Sequence, residues 1–247
     1  MGTIMRGRLL VGVLAVAALS AAAVACGGGG DEEATGTTVA PSPGATGTPA
    51  GTPTATPSAV EKQLQGMVLQ LSDLPDGFSR AQESFSTNQD VAGAGEDAAK
   101  VLAQLTEWGR VLGHGVVYSS EAESGVLLVD STVSLYQSDG GAAASFADAV
   151  TTARATDWAA TVGEAADVQV EEVPPLEVGD EMLWMRITGT AAIGDPATEQ
   201  PFIQDVVLMR VGPVRGSVST VSAAADAALL VEGMVRTQAA NMAAGLQ

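Results

Sequence analysis

The chain opens on an uncharged apolar run, Leu9 to Ala25, preceded by Arg6 and Arg8. A basic start, a short apolar stretch and small residues at its end are the layout of a secretory signal peptide. The run is 17 residues long, at the short edge of what spans a bilayer. Cys26, four glycines and Asp31-Glu32-Glu33 follow it, not the basic flank of a stop-transfer segment. Residues 27–58 then show no apolar period. They are almost wholly Gly, Thr, Ala, Pro and Ser, with prolines at 41, 43, 49, 53 and 57, and read as a disordered linker. At roughly 3 Å per residue in extended form, such a linker reaches at most about 90 Å.

Periodicity begins at residue 59. Val60, Leu64, Met67, Val68 and Leu71 form one helical stripe, predicting a helix over 59–72 that Pro75-Asp76-Gly77 stops. A second helix fits 95–108, with Glu96 and Asp97 in its first turn and Val101, Leu102, Leu105 and Trp108 on one side. Strand-like runs follow at Val111–Tyr118 and Val126–Tyr136. In the second run, Val129, Ser131, Val133 and Leu135 share the face expected to meet the core. Leu128, Asp130, Thr132, Ser134 and Tyr136 share the other. Ser138 or Asp139 can cap a helix over about 140–159. Strands are expected at Val168–Val173, Glu181–Thr190, Phe202–Val211 and Val214–Ala223, the last two joined by a tight turn at Gly212-Pro213. A closing helix fits 224–243, presenting Leu230 or Val231, Met234, Val235 and Met242.

Runs of strands broken by a few helices indicate an α+β fold. The expectation is a single domain over 59–247, with a largely antiparallel sheet packed by about four helices, one sheet face being covered. A curved half-barrel enclosing a cavity is the alternative. The preceding parts read as a signal peptide over 1–25 and the linker over 26–58, headed by Cys26. After residue 25 no second run that is both uncharged and apolar approaches a membrane span.

Ala23-Val24-Ala25-Cys26 resembles the bacterial lipobox, in which small and aliphatic residues precede an obligatory cysteine, although Ala23 stands where Leu is commonest. The resemblance implies cleavage before Cys26, a diacylglycerol thioether on its sulfur and acylation of the new amino group. One acyl chain alone holds a membrane only marginally, so stable anchoring uses two or more. A plain secretory cleavage or an uncleaved anchor is the alternative. Cys26 is the only cysteine, so the chain holds no partner for a disulfide.

A second resemblance lies in the order LSDLPDGF (71–78), VSLYQSDGGAAASFADAV (133–150), VGDEMLWMRITG (178–189) and DVVLMRVGPVRGSVSTVS (205–222). This is similar to small extracytoplasmic α+β domains of actinobacterial-type lipoproteins and of PknH-type kinase sensor regions. Those domains are thought to sense or bind something at the cell surface. The paired cysteines of the kinase sensors are absent here.

Charge narrows the partners. The chain carries 11 basic and 29 acidic residues; loss of Arg6 and Arg8 would leave nine basic residues and a net charge of −20. Nucleic-acid binding depends on Lys and Arg against phosphates, so that class is not expected. Acidic surfaces also keep exported proteins soluble, and that ordinary role accounts for most of this charge.

There is no G-x-S-x-G, H-E-x-x-H or Walker loop, and the single histidine, His114, cannot build a zinc cluster. Glu121/Glu123 and Glu171/Glu172 are acidic pairs more simply read as solvated strand or loop positions than as glycosidase carboxylates. The Asp195–Glu199 loop lacks EF-hand spacing. No catalytic, cofactor-binding or metal residue is therefore assigned. Trp108, Trp158 and Trp184 are the side chains best suited to contact a ligand, and Trp184 leads because Met182, Trp184 and Arg186 would share a strand face. The sequence thus points to a non-enzymatic, membrane-anchored extracytoplasmic lipoprotein that binds an envelope ligand or protein. An apolar carrier or purely structural protein is the alternative, and a cryptic hydrolase a more distant one.

Overall fold

The computed structural model describes residues 58–94, 97–120, 126–162, 165–193, 198–223 and 228–247. Cys26, the signal-peptide reading and nearly all of the linker lie outside them. The elements run α1 (Ala59–Met67), β1 (Phe78–Ser86), α2 (Asn88–Gly93), α3 (Ala98–Glu107), β2 (Arg110–Ser120), β3 (Val126–Tyr136), α4 (Asp139–Ala155), α5 (Trp158–Thr161), β4 (Ala166–Glu172), β5 (Glu181–Ile193), β6 (Thr198–Val211), β7 (Val214–Ser222) and α6 (Ala228–Ala244). The strands form one seven-stranded sheet in the order β1-β2-β3-β7-β6-β5-β4. Every pairing in it is antiparallel. The α+β expectation with a largely antiparallel sheet holds; the sheet is open, with β1 and β4 at its edges.

Helices cover both sheet faces, not one as expected. On the first face, Leu64 and Met67 of α1 and Val231, Met234, Val235 and Met242 of α6 pack on Val129 and Val133 of β3, Val207 and Met209 of β6, and Val214 and Val218 of β7. On the second, Phe146 and Ala153 of α4, with Trp158 of α5, pack on Leu183, Met185 and Ile187 of β5 and Val206 and Leu208 of β6. The reason is visible in β5 and β6. Leu183-Trp184-Met185 and Val206-Val207-Leu208-Met209 are apolar without alternation, and a strand with two apolar faces must be covered twice.

Polar side chains fasten α1 and α6 to the sheet. Ser131 Oγ accepts from the Leu69 amide at 2.9 Å and donates to Gln238 Oε1 at 2.7 Å. Tyr118 donates its hydroxyl to the Leu69 carbonyl at 2.9 Å. These bonds occupy the backbone that would extend α1, so the helix ends at Met67 although the apolar stripe continues. At the other turn of the chain, Ser138 caps α4 by accepting from the Gly141 amide.

Candidate functional site

Strand alternation brings Trp184 and Arg186 of β5 to the first face, and the β5–β6–β7 register sets Asp205 between Arg186 and Thr220. Trp184 is 4% exposed and Asp205 1%. The indole Nε1–H donates to Asp205 Oδ1 at 2.7 Å, and Arg186 Nε donates to the same oxygen at 2.9 Å. The Arg186 guanidinium carbon also lies 5.6 Å from the Trp184 ring centroid, within reach of a cation–π attraction. The carboxylate is thus held by two donors of different elements of chemistry, one aromatic and one cationic, on a single oxygen.

Two hydroxyls complete the cluster. Thr220 faces Asp205 across the β6–β7 pair, and Ser222 follows two residues on, opposite Ile203. Both side chains are fully buried, and among the described residues neither hydroxyl oxygen has a hydrogen-bond partner. Arg186 gives Asp205 only its Nε, so its Nη groups remain available. The cluster thus joins an acceptor at Asp205, two donor–acceptor hydroxyls and guanidinium donors in one largely buried polar group.

The other sequence candidates lie elsewhere. Trp108 ends α3 half-buried, and Trp158 is buried with its indole N–H on the Ala153 carbonyl at 3.0 Å. His114 is buried on the first face of β2, its ring 4.5 Å from that of Phe85 and its Nε2 3.2 Å from Glu83 Oε1. Burial lowers its pKa. Glu171 and Glu172 stand exposed on β4, Glu172 paired with Arg154. Glu121 and Glu123 lie outside the described residues, as does most of the Asp195–Glu199 loop. Among the described residues no three His, Cys, Asp or Glu gather as metal ligands would.

The sequence singles out Trp184 as a candidate but gives no such prominence to Asp205, Thr220 or Ser222. Asp205 did leave a signal, being a lone acid followed by the run Val206–Met209. Such a local conflict between residue and environment marks a special site. Thr220 and Ser222 left none, because small hydroxyls suit any strand.

No family model and no curated protein matches the chain. It is similar in structure to the extracellular domain of PknH from Mycobacterium tuberculosis. The TM-score is 0.47 at 11% identity, over 76% of this chain and 95% of that one. The resemblance is one of fold, and a weak one.

Proposed function

We propose that this protein is a membrane-anchored extracytoplasmic lipoprotein whose α+β domain binds a polar ligand or partner group at the cell envelope, without catalysing a reaction. One observation carries the binding part: Asp205, clamped by Trp184 and Arg186, lies beside two buried hydroxyls that have no partner. Interiors leave few polar groups unsatisfied, and each costs about 1–3 kcal/mol. A hydroxyl- or amide-bearing guest that donates to Asp205 and meets Thr220 and Ser222 would satisfy all three. The enzymatic reading draws less support, since His114 meets Glu83 and Phe85 and no serine. The lipobox-like junction at Cys26 supports the anchor.

Native mass spectrometry of the full chain, extracted from its source membrane in mild detergent, tests the binding. A bound mass beyond the lipid is expected, and the Thr220→Val/Ser222→Ala double variant should lose it while keeping its circular dichroism. Wild-type protein that retains no bound mass, or a double variant that binds unchanged, would remove this site from the proposal.

A further inference from the structure

The described arginines divide sharply. Arg80, Arg154, Arg186, Arg210 and Arg236 each meet a carboxylate. Arg110 and Arg215 form no ion pair among the described residues, and they are the two that sit together. Both flank Ser134 on the second sheet face: Arg110 Nε donates to Ser134 Oγ at 3.2 Å, and Arg215 stands opposite Ser134 in the β3–β7 register. In a chain with 29 acidic residues, two neighbouring cations without an acid are a selective arrangement.

The surroundings are built for guanidinium groups. Arg110 is 6% exposed and donates to the Ser86 carbonyl, Ser86 Oγ and Asn88 Oδ1 at 3.0, 2.8 and 3.1 Å. A Cβ at Gly113 would stand 2.1 Å from Arg110 Nη2, so glycine leaves the space that the guanidinium fills. Arg215 Nη1 donates to the carbonyl and hydroxyl of Ser145 on α4, and that hydroxyl meets Tyr136 OH at 2.5 Å. All these acceptors are neutral. Burial lowers the Arg110 pKa to about 10, and the nearby Arg215 adds to the lowering. Asp90 acts on Arg110 only weakly; it is fully exposed and held by Thr87. Arg215 is partly accessible and has Nε and Nη2 uncommitted.

We infer that Arg215 and Arg110 form an oxyanion seat on the second sheet face, beside Ser134 and under α4, that takes a phosphate or carboxylate group. Planar guanidinium forks match such oxyanions, and an anion would offset the repulsion between two partly desolvated cations. The seat is separate from the Trp184–Asp205 cluster, which lies on the opposite face and would bind a neutral donor. The net acidity of the chain opposes anions at long range, so an anion held here depends on these short contacts.

Thermal unfolding of the full chain in increasing sodium phosphate, against sodium chloride at matched ionic strength, tests the seat. A saturable rise in melting temperature is expected with phosphate alone. Arg215→Met should abolish the rise; it also removes a cation from beside Arg110, so the unliganded fold is expected to persist. Arg215→Lys, which keeps the charge but loses the fork, should bind several-fold more weakly, and Arg210→Gln should leave the response intact. Cosedimentation with phosphatidic acid vesicles, against phosphatidylcholine, separates the sources. Arg215-dependent pelleting assigns the oxyanion to a lipid headgroup; a phosphate response without pelleting assigns it to a soluble anion. Equal shifts in phosphate and chloride, or a phosphate response that survives Arg215→Met, would overturn the inference.

Discussion

Asp130 stands on the second face of β3 with Val117 and Ser219 as its cross-strand neighbours and, among the described residues, no hydrogen bond that stabilises its charge. Burial without compensation raises its pKa to about 6. The folded chain therefore binds this proton more tightly than the unfolded chain does. That stabilisation is complete below the ordinary Asp range and disappears as pH rises through about 6. Between those limits the linkage is worth up to about 3 kcal/mol. Asp130→Asn should accordingly raise stability at pH 7 by up to about 3 kcal/mol and change it little near pH 3. Urea unfolding of both proteins across that range checks it. A difference that does not vary with pH would mean that Asp130 is solvated in the folded chain. Ser219, whose hydroxyl is also buried without a partner, marks the same under-satisfied strip of the sheet.

At the scale of elements, glycines inside helices make opposite predictions from the same residue type. Gly233 of α6 has open space around a notional Cβ, so Gly233→Ala should stabilise by about 0.5–1 kcal/mol through helix propensity alone. Gly141 of α4 has the Trp108 carbonyl oxygen 1.9 Å from that position, and this is backbone at the end of α3. Gly141→Ala should therefore destabilise by about 3 kcal/mol, propensity notwithstanding. Midpoints of urea unfolding at unchanged slope measure both. Elements differ likewise in how far their sequence discloses them. β3 spans the residues the sequence marks out, because β-branched and other apolar residues recur along its length between two polar stretches. β1 escaped notice: between Phe78 and Phe85 it carries only Ser, Arg, Ala, Gln and Glu, as an exposed edge strand can. The helix expected over 140–159 divides after Ala155, because Thr156 is extended and Asp157 caps the short α5. Second-face coverage was hidden by Asp130 and Ser134, whose polarity reads as solvent contact. Ser134 is in fact buried against the Arg110 guanidinium.

For the whole molecule, the proposed anchor at Cys26 carries a prediction of its own. Among the described residues no helix is long and apolar enough to cross a membrane. The first described element, α1, begins at Ala59 with Ser58 as its cap, and residues 27–57 lie between Cys26 and it in the sequence. If Cys26 carries the anchor, its acyl chains supply the dominant membrane affinity, since the net charge of the chain disfavours anionic headgroups at long range. Each buried methylene adds about 0.8 kcal/mol, so losing the chains should change partitioning completely and not by degrees. Cys26→Ser is therefore expected to move the protein from the detergent phase to the aqueous phase in Triton X-114 partitioning. It should also lose the mass of the acyl groups from its N-terminal peptide. The described fold begins at Ser58 and does not include Cys26, so its melting temperature should be unchanged by the substitution. A Cys26→Ser protein that stays in the detergent phase would show instead that the apolar run from Leu9 to Ala25 is retained as the anchor.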